Sequence, residues 1–118
     1  YRQLRLVIED VKADRPLGTV DFFDFDPANK RVGVGVFIAL PADRRHGYAR
    51  EALAVALDFA FEQYDLEQVY CNILSSNEAS LTLFGRLGFE TVGLKKRWVR
   101  EGSRWHDEYL LQKLKTSE

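Results

Sequence analysis

Apolar residues recur at every second position near the start of the chain and at helical spacing in its middle. Leu4, Leu6 and Ile8 follow the period of a half-buried strand. Turn-forming residues over 10–18 predict a turn, after which a second strand spans residues 18–27. Residues 27–30 close a hairpin with a third strand over 32–40. Gly33 and Gly35 inside that strand indicate a bulge or a close approach of the backbone.

The middle of the chain predicts two helices around a short strand. Residues 47–64 form the first helix, on the apolar spacing of Ala49, Leu53, Ala56, Leu57 and Ala60. Residues 68–74 form a strand, parallel to 32–40 because a crossover helix joins the two. The second helix covers 76–87, with Ser75 and Glu78 at capping-box spacing. Residues 89–100 and 105–115 form a final hairpin, so the order is β-β-β-α-β-α-β-β, a mixed sheet covered by helices.

Composition limits the class of protein. The 118 residues make a single domain, 1–118, with a net charge of −1 and no block of like charges. This balance argues against nucleic-acid and membrane partners, and no apolar run reaches the ~20 residues that span a bilayer. A single cysteine, Cys71, fits a reducing, cytoplasmic compartment. The chain opens directly into a strand, and we expect that an N-terminal segment is missing.

The turn LPADRRHGYAREAL, residues 40–53, is a candidate anion site. A helix N-terminus carries unpaired N–H groups that attract anions. Gly47 allows close approach, Ala49 adds little bulk, and Arg44, Arg45 and His46 add positive charge. The phosphate-binding pattern G-x-x-x-x-G-K-[ST] is absent, which disfavours nucleotide triphosphate hydrolysis. The pattern alone leaves open whether this turn holds phosphates or is a solvated loop with surface arginines.

A second candidate is the helix after the short strand. Asn77, Ser80 and Phe84 lie at i, i+3 and i+7, on one stripe. The two polar residues suit an amide-rich ligand, but the pattern alone favours capping of the helix as their role. Gly85 inside this helix costs up to ~1 kcal/mol relative to alanine, and close contact is the only reason available for it.

The two stretches together, R-x-x-G-x-A opening a helix and then N-x-x-S-x-x-x-F-x-x-x-G-F, resemble the GNAT superfamily of acetyl-CoA-dependent N-acetyltransferases. The resemblance covers residues 17–114 and is strongest to the branch of diamine and ribosomal-protein N-terminal acetyltransferases. It implies an α/β (α+β) fold with a mostly antiparallel sheet, two splayed parallel strands and flanking helices. The family's usual N-terminal strand and two helices, which wall the acceptor site, have no counterpart in this sequence. Either the chain is truncated or the acceptor pocket is unusually open.

The resemblance also implies a site for acetyl-CoA as co-substrate, without a metal. The turn would wrap the diphosphate, and the thioester would lie in the gap between the strands 32–40 and 68–74. The backbone of the strand end and the side chain of Asn77 would contact the pantetheine arm. The implied cofactor-binding residues are Phe37, Ile38, Ala39, Arg44, Arg45, His46, Gly47, Tyr48, Ala49, Arg50, Asn77, Ser80 and Phe84.

Catalysis by direct attack of an amine needs a base, because an alkylamine with a pKa near ~10 is almost fully protonated at pH 7. The candidate bases are Asp21, Asp24, Asp107 and Glu108, although the sequence pattern fits each one singly better as a carboxylate on an exposed sheet edge. Many family members carry a proton-donating tyrosine where this chain has Phe84, so Ser80 is the substitute acid or thiolate contact.

The implied acceptor is a primary amine of a polyamine, a diamine or a protein N-terminus. The acidic stretches DFFDFD and WHDE suit such a cation, and they suit solubility equally. Two alternatives remain: a non-catalytic acyl-CoA binding or sensing module, and a domain that binds another anion at the same turn. Cys71 fits a buried strand residue better than a covalent nucleophile. The apolar, aromatic C-terminal hairpin suits a homodimer contact.

Overall fold

Six strands and two helices follow in the predicted order within residues 3–10, 12, 14–39 and 47–116, the residues that the computed structural model describes. The strand predicted over 68–74 has those bounds, and both helices are shorter than predicted. The elements are β1 (Gln3–Asp10), β2 (Arg15–Asp26), β3 (Arg31–Ile38), α1 (Tyr48–Gln63), β4 (Gln68–Leu74), α2 (Glu78–Arg86), β5 (Glu90–Glu101) and β6 (Arg104–Leu114).

The strands form one mixed sheet with the order β1-β2-β3-β4-β6-β5. The pairs β1–β2, β2–β3, β4–β6 and β5–β6 are antiparallel, whereas β3 and β4 are parallel. The predicted mixed sheet with a parallel pair joined by a crossover helix is confirmed.

Both helices cover the same face of this sheet. Each connects two parallel strands, β3 to β4 and β4 to β5, and both crossovers advance in the same direction. Such crossovers are right-handed almost without exception, which puts both helices on one side. The contacts agree, since Lys113 lies beside the fully buried Val69 and its ammonium donates to the carbonyl of Leu87 after α2, at 2.7 Å.

The core lies between this face and the helices. Alternate strand residues and the inner face of α1 supply it, as the period of two for strands and of 3.6 for helices requires. Its largest fully buried side chains are Leu17, Val20, Val34, Leu53, Leu66, Val69, Cys71 and Leu111.

Two local predictions were wrong. β2 begins at Arg15, inside the predicted turn, because a bulge at Ile8 and Glu9 lets Pro16 sit in the strand. Helix α2 begins at Glu78 with Asn77 as its N-cap, not with Ser75. The backbone N–H of Ser75 instead donates to the carbonyl of Asp107, at 2.9 Å.

No helix within the described ranges packs on the opposite face of the sheet, which we call the open face. Gly33 lies on this face between Phe23 and Tyr70 in the strand register. A Cβ atom at Gly33 would stand 2.4 Å from the ring of Phe23, so glycine is required there by the close approach of a side chain. Neither described helix is long and apolar enough to cross a bilayer.

Candidate functional site

β3 and β4 diverge after a short parallel ladder. Their pairing runs from Arg31–Gln68 to Gly33–Tyr70, while β3 continues to Ile38 and β4 to Leu74. The two strands therefore part at their carboxyl ends and leave a gap in the sheet. This confirms the splayed parallel pair that the family resemblance implied.

The N-terminus of α1 lies at the same end of the sheet, because α1 runs antiparallel to the strands that it connects. Gly47 is its N-cap, with a left-handed backbone at φ 77 that favours glycine. Glycine has no side chain, so the N-cap residue itself makes no side-chain cap hydrogen bond. The N–H groups at this helix end therefore have the arrangement that binds anions in proteins. Arg44, Arg45 and His46 lie outside the described residues.

The side chains in the first turn of α1 differ in burial. Tyr48 is half-buried, Ala49 packs against the core, and Arg50 is exposed. The small residue at Ala49 therefore has a packing role in addition to the role that the resemblance implies.

The end of β3 presents alternate backbone groups to the gap. The N–H of Ala39 donates to the carbonyl of Leu17, at 2.8 Å, so it points towards β2. Phe37 also faces β2, where it pairs with Thr19, because backbone direction alternates along a strand. Ile38, between them, turns its backbone towards β4. Of the three residues assigned to the pantetheine arm, Ile38 has the backbone that faces the gap.

The predicted stripe on α2, formed by Asn77, Ser80 and Phe84, makes mainly structural contacts. Asn77 caps the helix, since its Oδ1 accepts from the N–H of Ser80 at 3.2 Å. Phe84 is 3% exposed and packs edge-on against Phe89, with ring centroids 5.1 Å apart. A Cβ atom at Gly85 would meet no atom within 4 Å in the described part of the chain. The described residues therefore do not make the close contact that the sequence suggested as the reason for Gly85.

The candidate bases occupy different places. Asp21 accepts from Nε and Nη2 of Arg5, at 2.8 and 3.0 Å. Asp24 precedes the β2–β3 turn, at the end of the sheet opposite the gap, and has a positive φ of 53. Glu108 pairs with Leu74 at the end of β4. Glu108 is therefore the carboxylate of these three that lies beside the divergence. The fourth candidate, Asp107, is engaged within the β5–β6 hairpin, where its Oδ1 accepts from the N–H of Arg97 at 2.8 Å.

Sequence reasoning missed a polar cluster beside Glu108. The ammonium of Lys95 donates to Oδ1 of Asn72 at 2.7 Å and to Oε1 of Glu108 at 2.9 Å. It also lies 5.0 Å from the ring centroid of Trp98. Asn72 could have been noticed in the sequence because it is a polar residue inside the otherwise apolar strand QVYCNIL. The contact with Lys95, 23 residues away, leaves no sequence pattern.

Cys71 is 1% exposed, and burial raises the pKa of its thiol to about 12. Since the thiolate is the nucleophilic form, the buried position argues against a covalent acetyl-cysteine route.

A separate groove of about 1220 Å³ lies between β1 and α1, lined in part by Leu6, Val20, Val55 and Phe59. Its lining includes Tyr48 and Glu51 of the first turn of α1, so the groove adjoins the candidate site, although no residue of the diverging ends of β3 and β4 lines it.

Known proteins share this fold. A spermidine N-acetyltransferase from Vibrio cholerae, solved in complex with CoA and spermine, aligns with a TM-score of 0.88 and 23% identity, over 96% of this chain and 66% of that chain. The uncharacterized N-acetyltransferase YoaA of Bacillus subtilis is 24% identical over 106 residues. An N-acetyltransferase 9-like protein of Caenorhabditis elegans is 39% identical over 61 residues, which are 51% of this chain and 30% of the relative.

The chain is shorter than these relatives. The YoaA alignment covers 90% of this chain and 59% of the relative. The family described as the Acetyltransferase (GNAT) domain matches residues 2–90, three quarters of the sequence. The match includes the turn before α1, the diverging strands and α2. The chain therefore belongs to the GNAT acetyltransferase family.

Proposed function

We propose that this domain transfers the acetyl group of acetyl-CoA to a primary amine by direct attack of the amine nitrogen on the thioester carbon. The observation that carries the proposal is the divergence of β3 and β4 beyond Gly33 and Tyr70, at the end of the sheet where α1 begins with a glycine as its N-cap. A gap between strands accommodates an extended arm, and a helix N-terminus accommodates a diphosphate.

The residues around the gap suit acetyl-CoA. The backbone N–H groups that follow Gly47 would hold the diphosphate, together with the cationic residues assigned to the preceding turn. The backbone of Ile38 would bind the pantetheine arm from the β3 side. When bound, acetyl-CoA supplies an activated acyl group with a thiolate as leaving group.

Glu108 is the proposed base. Its position beside Leu74, at the end of β4, is the reason to prefer it to Asp21 and Asp24. Because the acceptor is an alkylammonium at neutral pH, the Glu108 carboxylate would take the proton whose loss frees the attacking lone pair. The second proton, released as the C–N bond forms and the C–S bond breaks, would go to the leaving thiolate. The side chain is 17% exposed, so water has restricted access to it. General-base assistance of this kind contributes typically ~10²–10⁴ in rate.

A non-catalytic acyl-CoA binding or sensing module is the second candidate. Phe84 favours it, because this buried ring stands where many family members have a proton-donating tyrosine. Ser80, on the same stripe, remains the proposed substitute; its N–H is engaged by the cap, and its hydroxyl is the group in question.

The test is an acetyl-transfer assay with detection of the free thiol, using diamines, polyamines and N-terminal peptides as acceptors. CoA binding is measured in parallel by calorimetry, for the native chain and for Gly47→Val. Gly102→Val is the matched control, since Gly102 also has a positive φ, 63, but lies in the β5–β6 turn.

We expect turnover with at least one amine, and loss of CoA binding in Gly47→Val but not in Gly102→Val. Saturable CoA binding without turnover on any amine would favour the sensing module. Unchanged CoA affinity in Gly47→Val would refute the assignment of the diphosphate to this turn and favour another anion there.

The β5–β6 hairpin remains the proposed homodimer contact. β5 is an edge strand, and its Val92 and Leu94 are exposed, as is Trp105 on β6. Sedimentation equilibrium of the native chain and of Leu94→Lys tests this, because a charge within an apolar contact disfavours association. A monomer in both samples would contradict the proposal.

A further inference from the structure

The ammonium group of Lys95 sits in a cluster of three groups that we call the ammonium cluster, namely Asn72, Glu108 and Trp98. The amide oxygen of Asn72 and the carboxylate of Glu108 accept from Nζ at 2.7 and 2.9 Å. The ring of Trp98 lies 5.0 Å from Nζ, within the range of a cation–π interaction. The cluster thus provides an anion, a neutral acceptor and an aromatic face around one primary ammonium.

A bulge in β5 brings Trp98 into this cluster. Lys95 pairs with Glu108, and Val99 pairs with His106, so residues 96–98 lie opposite Asp107 alone. In a regular strand, a residue three positions after Lys95 would point to the other face. Arg97 has a φ of 50, and its N–H donates to Oδ1 of Asp107 at 2.8 Å. The chain therefore holds a left-handed non-glycine residue that re-aims the Trp98 side chain.

The cluster borders the gap between β3 and β4. Asn72 lies two residues beyond Tyr70, the last residue of β4 paired with β3, and on the same face as Tyr70. Glu108 pairs with Leu74 at the carboxyl end of β4. All of these positions belong to the open face, where no helix of the described ranges would block an approaching molecule.

We propose that the ammonium cluster is the binding site for a primary alkylammonium, and that Lys95 occupies it as an internal competitor when no amine is bound. The chemistry of the site is given by its occupant, since Lys95 is itself a primary alkylammonium. An incoming amine would take the place of the Lys95 ammonium beside Glu108 and Trp98. Its role as the acceptor site rests on the proposed function, whereas ammonium binding does not.

The competing explanation is a purely structural tie. Lys95 bridges from β5 over β6 to Asn72 on β4, and such a bridge would hold the hairpin to the rest of the sheet. The two explanations differ in what removal of the ammonium does. Loss of a competitor strengthens amine binding, whereas loss of a structural tie leaves amine binding unchanged or weakens it.

The experiment measures binding of n-butylammonium to the native chain in the presence of CoA, by NMR titration, with n-butanol as the uncharged control. The test variants are Lys95→Met and Lys95→Gln, which both lack the ammonium. Lys96→Met is the matched control, because Lys96 is the exposed neighbour of Lys95 on β5. Thermal unfolding of each variant shows that it is folded.

We expect n-butylammonium to bind about tenfold more tightly to both Lys95 variants, if Lys95 fills the site about nine tenths of the time. Lys96→Met should bind like the native chain, and n-butanol should not bind. A further Glu108→Gln substitution in Lys95→Met should weaken n-butylammonium binding by at least about tenfold, because it removes the charged acceptor. Equal or weaker binding in folded Lys95 variants overturns the proposal.

The outcome is independent of the acetyl-transfer assay. Tighter n-butylammonium binding without any turnover would uphold this site and contradict the proposed function. Turnover with unchanged amine affinity in the Lys95 variants would uphold the proposed function and contradict this site.

Discussion

The two faces of the sheet are built from alternate residues of the same strands, yet they carry different kinds of side chain. On the helix-covered face of β4, Val69, Cys71 and Ile73 are buried in the core. On the open face, Tyr70 and Asn72 contact Phe23 and Lys95 instead. The helices remove water from one face, so apolar burial stabilises it, and the other face keeps the polar groups on which the proposed function relies. Stability and the proposed function thus depend on residues that are neighbours in sequence.

The largest contrast expected between the faces is the reactivity of a thiol at two adjacent positions. Burial raises the pKa of Cys71 to about 12, which leaves only a ~10⁻⁴ fraction of thiolate at pH 8. The double variant Cys71→Ala with Asn72→Cys puts a thiol on the open face, where we expect an ordinary pKa. Its modification by a thiol reagent should be faster on the order of a thousandfold. Similar rates would mean that the faces are equally accessible.

Truncation of the core should give the next largest effect. Leu53 of α1 is 0% exposed, and Leu53→Ala should lower the free energy of unfolding by about 3 kcal/mol through lost burial and a cavity. Val55 on the same helix is 70% exposed, so Val55→Ala should change it by less than about 0.5 kcal/mol. Urea denaturation measures both. Equal losses would contradict the burial pattern of α1.

The open face has its own packing constraint at Gly33. Gly33→Ala places a methyl group 2.4 Å from the Phe23 ring and should cost about 1–3 kcal/mol of stability. Gly35→Ala is the control, since its nearest ring atom is 4.0 Å away. Denaturation of Gly33→Ala with and without Phe23→Ala identifies the clash. If removal of the ring does not reduce the cost of Gly33→Ala, the ring is not its cause.

The smallest effect should be a gain in stability at Gly85. Alanine is favoured over glycine in a helix by up to ~1 kcal/mol, and a Cβ atom there meets nothing in the described residues. Gly85→Ala should therefore raise the melting temperature slightly. Gly47→Ala should lower it, because alanine is strained at a φ of 77. A loss of stability in Gly85→Ala would reveal a contact from residues outside the described ranges.

Much of the fold was readable from the sequence because the signals were local. The run QVYCNIL and the helical spacing from Leu53 to Ala60 predicted β4 and α1 and, through the crossover rule, their topology. The errors arose where a distant contact decided the outcome. Ser75 has capping-box spacing, but its N–H pairs with Asp107 across the sheet, and Asn77 caps α2 instead.

The site was less predictable for the same reason. Glu108 was one of several carboxylates in the sequence, and only the register of β4 with β6 sets it beside the gap. Trp98 reaches the Lys95 ammonium because of a bulge held by Asp107 and Arg97, which no periodicity indicates. Motifs suggested the chemistry, while the relative positions of residues far apart in the chain required the structure.

The short ladder between β3 and β4 also bears on how the domain moves. Within the described ranges, the ladder between β3 and β4 has three residue pairs, and it is the ladder that joins the β1–β3 half of the sheet to the β4–β6 half. Because this ladder is short, we expect local opening of the sheet to begin between β3 and β4. A molecule bound in the gap between β3 and β4 would contact both halves of the sheet and oppose this opening. Amide hydrogen exchange would then slow in strands that the molecule never touches.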